Sequence, residues 1–256
     1  VQPLAFLLFP ATKKMPRNTL PLYDVILAFV GAGAWVYYIT NFEANGNDSL
    51  SDSTAIQAAL DLSSEDYKIV IEFPKGTFYL SKALFIQSNT TMKLNSKTVI
   101  RRMDSSLKYN IMHSTDSGHK KNTIGGYDLA HDIVIDGGTW DGGNISKAAS
   151  TSDLMYFGHC KNITIQNATI KNCYGAHAVE FAGVSNGIIS KCTFSKFRYD
   201  SSNFTSEAIQ LDTCWKDSDG SAWAPGYKQD KTTCENITIT NNTINDYPRG
   251  IGTHHI

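Results

Sequence analysis

Four segments of the chain share one pattern, and this repeat constrains the fold more than any other feature. In each segment, a run with alternating apolar residues is followed by a polar turn and a second short run. Successive segments start 30, 24 and then 50 residues apart: HDIVIDGGTW (131–140), KNITIQNATI (161–170), SNGIISKCTF (185–194) and ENITITNNTI (235–244). Recurrence in this range indicates a solenoid, and alternation with a period of two indicates strands. We therefore predict stacked β-coils whose apolar residues fill the interior.

A further strand is expected before each of the later units. These strands lie in SDLMYFGHC (152–160), AHAVEFAGV (176–184), SEAIQLDTC (206–214) and RGIGTHHI (249–256). Aligning their alternation predicts one inward set: Met155, Val179, Ile209 and Ile251, then Phe157, Phe181, Leu211 and Thr253. The same alignment predicts one outward set: Tyr156, Glu180, Gln210 and Gly252, then Gly158, Ala182, Asp212 and His254.

Composition narrows the function classes. The net charge is -1, which argues against a nucleic-acid partner, since such proteins carry a basic excess. Hydrophobic residues make up 41% of the chain, enough to fill a sizeable core. No phosphate-cradling glycine loop and no nucleophile elbow is present.

The first 40 residues differ in composition from the rest. The uncharged run VILAFVGAGAWVYYI (25–39) follows Lys13, Lys14 and Arg17. Three interpretations stay open: a membrane-spanning helix, a secretory signal and a buried N-terminal helix. We predict two parts, a signal-like, anchor-like or foreign segment at 1–40 and a β-helix domain at 41–256 that is truncated at its C-terminus. Membrane contact is expected through residues 1–40 alone.

Three segments carry a resemblance to a known family. They are NFEANGNDSLSDSTAIQAAL (41–60), FPKGTFYL (73–80) and IDGGTWDGG (135–143). They resemble the first coils of the pectate-lyase-like right-handed parallel β-helix superfamily, which includes polygalacturonases and pectate lyases. The resemblance implies an all-β, right-handed, single-stranded parallel β-helix with an N-terminal capping helix at about residues 53–62. Ser51 or Asp52 would cap that helix.

The resemblance also implies where a sugar chain would lie, namely across the outward face of the sheet formed by the four later strands. Glu180 and Asp212 fall on adjacent coils of that sheet, two positions apart, so about 8 Å should separate their backbones. Carboxylates about 6.5–9.5 Å apart are typical of inverting glycosidases. Asp212 and His254 share one column and could couple as acid and orienting base.

Other residues are predicted to line the same cleft. Arg249 could hold a uronate carboxylate or act as the base of a lyase. An insertion at 215–233 should form one wall and offer aromatic rings to sugars. The predicted substrate-binding residues are His177, Glu207, Gln210, Tyr156, Trp215, Trp223, Tyr227 and His255. For each of these, the alternative is a turn-capping, packing or solvated surface residue.

Cysteines and aspartates give two weaker predictions. The five cysteines form an odd set, so at least one is unpaired within the chain. Cys214 and Cys234 bracket the insertion and are the disulfide candidates, whereas the other three should fill the interior. We predict no cofactor, although aspartates of the insertion could bind Ca²⁺: Asp217, Asp219 and Asp230.

Three functions remain open. The first is hydrolysis of a polysaccharide, which could contain uronate, with Asp212 and Glu180 as the acid/base pair in either order. The second is a lyase that uses Arg249 or His254 as base. The third is a non-catalytic glycan-binding adhesin or phage tailspike segment. The chain lacks the polygalacturonase motifs Asn-Thr-Asp, Gly-His-Gly and Arg-Ile-Lys, and is similar to bacterial surface β-helix proteins that carry EAIQLD (207–212) and PRGIGTHH (248–255). We expect an extracellular or surface location.

Overall fold

The structure is a computed structural model of the chain. It describes residues 28–30, 34–63, 65, 68–103, 111–114, 124–143, 153–198, 206–215 and 228–254, with side chains for all of these except 28–30 and 254. One α-helix, α1 (Ser53–Leu60), and a 3₁₀ helix (Ile39–Phe42) lie near the start. The strands are β1 (Ala28–Val30), β2 (Ala34–Tyr38), β3 (Lys68–Phe73), β4 (Gly76–Leu80), β5 (Leu84–Ile86), β6 (Thr90–Arg102), β7 (Met112–Ser114), β8 (Ala130–Asp141), β9 (Met155–Gln166), β10 (Thr169–Lys171), β11 (Val179–Ser190), β12 (Thr193–Ser195), β13 (Glu207–Asp212), β14 (Thr238–Thr240), β15 (Thr243–Ile244) and β16 (Arg249–His254).

These strands form a parallel β-helix with three faces. Face A contains β5, β7, the first parts of β9 and β11, then β13 and β16. Face B contains β2, β3, the first part of β6, the middle of β8, the ends of β9 and β11, and β14. Face C contains β4, the ends of β6 and β8, then β10, β12 and β15. The long strands bend from one face to the next, so a coil contributes to each face in turn.

The pairing register confirms the predicted repeat. Ile135 pairs with Ile165, Ile165 with Ile189, and Ile189 with Ile239, which are the predicted offsets of 30, 24 and 50 residues. The first three isoleucines are fully buried, as are the aromatic side chains of the neighbouring columns. Each coil of a solenoid contacts only its two neighbours and buries its apolar side chains against them. This burial is the main contribution to the stability of the stack.

An asparagine ladder marks the corner where strands enter face B. Asp132, Asn162, Asn186 and Asn236 all have left-handed backbone conformations, with φ between 53° and 58°. The side-chain amide of each of the three asparagines donates to the side-chain Oδ1 of the ladder residue on the preceding coil, at 3.1, 3.1 and 3.3 Å. Asparagine tolerates this conformation better than most residues, so the polar turns of the repeat are a backbone requirement.

Removing one rung of this ladder should lower stability. Asn162→Ala loses the two side-chain hydrogen bonds and places an alanine at positive φ, so we expect the free energy of unfolding to fall by about 1–3 kcal/mol. Asn162→Gly also loses the bonds but adopts this φ readily. Denaturant unfolding of both variants should therefore show the larger loss for alanine. Equal losses would contradict the proposed role of the backbone conformation.

The N-terminal end differs from the prediction at two points. The described part of the apolar run forms strands β1 and β2 rather than a helix, and β2 pairs in parallel with β3. The β-helix therefore begins before residue 41. Within the described ranges, no helix is long and apolar enough to span a membrane. Asp52 occupies the N-cap position of α1, but its carboxylate accepts from the Asn45 and Tyr79 amides instead of the helix.

The predicted inward set on face A is confirmed for the first three strands and differs on the last one. Met155, Val179 and Ile209 are fully buried. Ile251 is 49% exposed and Thr253 is also exposed. Both lie on β16, and no later described strand packs against it. Inward orientation therefore produces burial only where another coil stacks on the strand.

Candidate functional site

One outward column of face A has a distinctive composition. Register places its members side by side in the order Phe85, His113, Tyr156, Glu180, Gln210 and Gly252. The sequence predicts Tyr156, Glu180, Gln210 and Gly252 as outward members of one column, and it does not assign Phe85 and His113 to that column. In the structure, His113, Tyr156, Glu180 and Gln210 are each at most 5% exposed. The pairing register confirms that the four predicted residues share one column, and the alternative of a solvated surface residue does not hold for Tyr156, Glu180 or Gln210.

Three aromatic rings of this column pack in sequence. The His113 and Tyr156 ring centroids are 5.0 Å apart, and Phe85 makes an edge contact with His113 on the other side. Burial lowers the pKa of His113 to about 4, partly offset by its bond to the Ser114 carbonyl, so the imidazole is neutral at pH 7. Tyr156 was predicted to bind substrate, but its ring is covered and offers no open platform for a sugar.

Glu180 and Asp212 occupy the predicted offset positions. Glu180 pairs with Gln210, and Ala182 pairs with Asp212, so the two carboxylates stand on adjacent coils two positions apart. Their exposed fractions are 2% and 5%. The Thr213 amide donates to Asp212 Oδ1 at 2.7 Å. Such a bond stabilises the ionised carboxylate, which is the form that a general base needs.

A row of ionisable residues runs along the start of the face A strands. The His177 amide donates to Asp153 Oδ1 at 2.9 Å, His177 Nδ1 lies 3.4 Å from Glu207 Oε2, and Arg249 Nη1 lies 3.1 Å from Glu207 Oε1. Asp153 and Glu207 are buried. Gly252 makes room for this row, because a Cβ there would lie 2.5 Å from Glu207 Cγ.

Glu180 joins this row from the neighbouring column. One ligand atom from each of Asp153, His177 and Glu180 lies within 4.8 Å of the others. Two buried carboxylates this close repel each other unless a proton or a cation is shared between them. The structure therefore brings together Glu180, His177 and Glu207 as predicted, and it adds Asp153.

The ion pair of Arg249 bears on the lyase interpretation. A guanidinium is not deprotonated in proteins, and that of Arg249 contacts the buried Glu207 carboxylate. This environment disfavours Arg249 as a catalytic base. The side chain is nevertheless 58% exposed, so it can still bind a carboxylate. His254 pairs with Asp212 in register, but its side chain lies outside the described part of the chain.

The insertion is described only at its two ends. Trp215 is partly buried, and the Lys231 ammonium lies 4.4 Å from the centroid of its ring. This cation covers part of the surface predicted to bind sugars. The C-terminal end of the insertion contacts an earlier coil through His159. The Nδ1 atom of His159 lies 2.7 Å from the Gly126 carbonyl, and its Nε2 atom lies 2.8 Å from the Lys228 carbonyl.

Asp230 has a structural role at this end of the insertion. Its Oδ1 accepts from the Thr232 amide and hydroxyl, and its Oδ2 accepts from the Gly126 amide. Burial raises its pKa, but these hydrogen bonds lower it by more, so the net shift is downward. The other predicted calcium ligands and three predicted substrate contacts lie outside the described residues: Asp217, Asp219, Trp223, Tyr227 and His255.

The predicted disulfide is absent, because Cys214 and Cys234 are both free thiols. Cys214 donates to the Ala182 carbonyl at 2.9 Å, and Cys234 donates to the Phe181 carbonyl at 3.2 Å. Burial raises the pKa of both thiols. The three remaining cysteines are buried in the interior as predicted: Cys160, Cys173 and Cys192.

Sequence reasoning missed Asp153 and His113. A signal for Asp153 existed, because it stands 24 residues before His177 and 54 before Glu207, in step with the repeat. His113 had no comparable signal. Its strand, β7, contains three residues and lies outside the recognised repeat.

Comparison with known proteins identifies the class that this fold and site define. Residues 37–255 match the family model described as Rhamnogalacturonase A/epimerase, pectate lyase-like. The chain therefore belongs to this pectate-lyase-like family, as the resemblance of its first coils implied.

Individual proteins similar to this chain include a bacterial surface adhesin and, in fold, a phage tailspike. The chain is 25% identical over 244 residues to plasmin and fibronectin-binding protein A of Streptococcus pneumoniae, which covers 85% of this chain and 33% of that protein. A structure of the surface adhesin PfbA of Streptococcus pneumoniae has a TM-score of 0.66 at 24% identity, covering 86% of this chain and 56% of the other. The tailspike of E. coli bacteriophage HK620, solved with a pentasaccharide, has a TM-score of 0.61 at 15% identity, covering 84% and 40%.

The relatives are longer than this chain. It spans about a third of the curated relative and about half of the adhesin structures. At these identities the solved structures establish the fold alone.

Proposed function

We propose that the protein is an extracellular or surface-displayed carbohydrate-active enzyme that hydrolyses a polysaccharide at face A. Glu180 acts as general acid and Asp212 as general base. The observation that carries this proposal is the pairing register, which holds two buried carboxylates on adjacent coils, two positions apart. The expected backbone separation of about 8 Å leaves room for the attacking water of an inverting reaction.

The surroundings of the two carboxylates suit different roles. Glu180 stands beside a second buried carboxylate, Asp153, with ligand atoms of the two side chains within 4.8 Å of each other, and paired carboxyl groups of this kind serve as proton donors in hydrolases. Asp212 accepts an amide hydrogen bond, which favours the ionised form of a base. Two carboxylates with environments that differ in this way can divide the acid and base roles.

A cationic group on face A supports an acidic substrate. Arg249 contacts Glu207 through one terminal nitrogen and is 58% exposed. A guanidinium can bind a carboxylate through paired N–H donors, so a uronate unit is a suitable partner. Because both catalytic carboxylates are at most 5% exposed, substrate binding must open this part of face A.

A panel of neutral and uronate-containing polysaccharides tests the proposal. The assay follows new reducing ends together with ultraviolet absorbance, because a lyase product contains a C4–C5 double bond that absorbs there. We expect reducing ends without an absorbance increase on at least one uronate-containing polymer. An absorbance increase would show elimination instead. Tight glycan binding without either signal would show a binding protein.

A second candidate is a non-catalytic adhesin, and the relatives named above favour it. The structure also offers a surface for binding that is separate from face A. An open groove of about 350 Å³ runs along face B, lined by asparagines of the ladder and by outward side chains such as Val134, Thr164 and Ile188. In this candidate, binding to a glycan or a host protein would be unchanged in Asp212→Asn.

A further inference from the structure

The most concentrated group of potential metal ligands in the described chain stands at the start of the face A strands. Asp153, His177 and Glu180 each offer one ligand atom, and the three atoms lie no more than 4.8 Å apart. Ligands bound to one Zn²⁺ at about 2.0–2.2 Å stand at most about 4 Å apart, so a small side-chain adjustment closes the site. The backbone already fixes two of the members, because the His177 amide donates to Asp153 Oδ1 at 2.9 Å.

Burial distinguishes this group from an ordinary acidic surface cluster. Asp153 is 1% exposed and Glu180 is 2% exposed. Two carboxylates held this close and away from water repel strongly, and a divalent cation between them removes that repulsion. The third member is an imidazole, which favours first-row transition metals over Ca²⁺ or Mg²⁺.

The residues behind His177 are arranged in the way that supports a metal-bound histidine. Its Nδ1 faces Glu207: the Glu207 amide donates to Nδ1 at 3.4 Å, and Glu207 Oε2 lies 3.4 Å from the same nitrogen. Binding of an ion through Nε2 requires the tautomer in which Nδ1 carries the hydrogen and donates to Oε2. Glu207 is itself held by Arg249 at 3.1 Å. A histidine that binds a metal commonly directs its other ring nitrogen toward a carboxylate, which orients the ring. Glu207 and Arg249 thus position His177 without contacting the ion.

We propose that Asp153, His177 and Glu180 form a binding site for one first-row divalent cation of the Zn²⁺ type, with Glu207 orienting the histidine. The bound ion occupies an oxygen of Glu180, the residue that the proposed hydrolysis uses as its acid. The cation therefore inhibits the hydrolysis instead of assisting it. This consequence rests on the proposed function, whereas binding of the ion does not.

Titration calorimetry with ZnCl₂ and no substrate tests the site. We expect one Zn²⁺ per chain, bound at least about tenfold more tightly than Ca²⁺ or Mg²⁺. Asp153→Asn and Glu180→Gln should each weaken binding at least about 30-fold, because each removes a charged ligand. The side-chain oxygen that remains in Asp153→Asn can still accept the His177 amide, so the local backbone is preserved. Glu207→Gln should weaken binding about 10–100-fold through the orientation of His177.

Matched controls separate this result from adventitious binding or misfolding. Asp246→Asn changes an exposed aspartate outside the cluster and should leave Zn²⁺ affinity unchanged. Circular dichroism and thermal unfolding must show that each variant is folded. Three results would overturn the proposal: no Zn²⁺ binding to the wild type, equal affinity in the Asp153 and Glu180 variants and the wild type, or a preference for Ca²⁺. None of them depends on whether the chain cleaves a polysaccharide.

Discussion

Asp212→Asn is expected to lower hydrolysis of the active polysaccharide by about 10²–10⁴-fold, the usual contribution of a general base. The replacement removes the charge and keeps the shape of the side chain. The remaining side-chain oxygen can still accept the Thr213 amide, so the contact seen at 2.7 Å is retained. The measurement is the initial rate of reducing-end release, together with a thermal unfolding curve.

A second aspartate provides the control. Asp136 lies on face B, pairs in register with Lys93, and accepts a hydrogen bond from Asn167 at 2.7 Å. Asp136→Asn should therefore leave the rate near that of the wild type. If Asp212→Asn retained more than about a tenth of the activity, the base would lie elsewhere. If both variants lost activity equally, the effect would be structural.

Ile189→Ala should lower the free energy of unfolding by about 2–5 kcal/mol, the range for truncating a fully buried isoleucine. Ile189 is 0% exposed and stands in the isoleucine column between Ile165 and Ile239. Removing it leaves a cavity in contact with both neighbouring coils. Denaturant unfolding followed by circular dichroism measures the loss.

The neighbouring residue is a matched control of the same type. Ile188 is 41% exposed and faces outward on the same strand. Ile188→Ala should cost at most about 1 kcal/mol, because little apolar area is uncovered. Similar losses for the two variants would show that the alternation of β11 does not decide which side chains form the core.

Much of the architecture could be predicted because parallel stacking converts spacing along the chain into position in space. The offsets of 30, 24 and 50 residues became the observed register, and with them the placement of Glu180 and Asp212 on adjacent coils. The two-residue period of a strand is equally direct, so Ile189 could be assigned to the interior from the sequence. Neither inference needs information about distant parts of the chain.

Other features depend on contacts between residues far apart in sequence. The pattern of β2 was compatible with a helix, and its parallel pairing with β3 decided that it is a strand. The positions of Cys214 and Cys234 suggested a disulfide, yet each sulfur donates to a backbone carbonyl of an adjacent strand. Spacing along the chain does not specify the direction in which such a side chain points.

By itself, the sequence determined the β-helix, its register and the side of each strand that faces inward, because these follow from local periodicity. Only the tertiary structure decided that the outward column at Glu180 is buried, that Asp153 and His177 stand beside it, and that Arg249 is paired with Glu207. The physical reason is that burial and charge pairing depend on what packs over a strand. Except for His177, which precedes Glu180 by three residues, those groups come from other coils: Asp153 stands 27 residues before Glu180, and Arg249 stands 42 residues after Glu207.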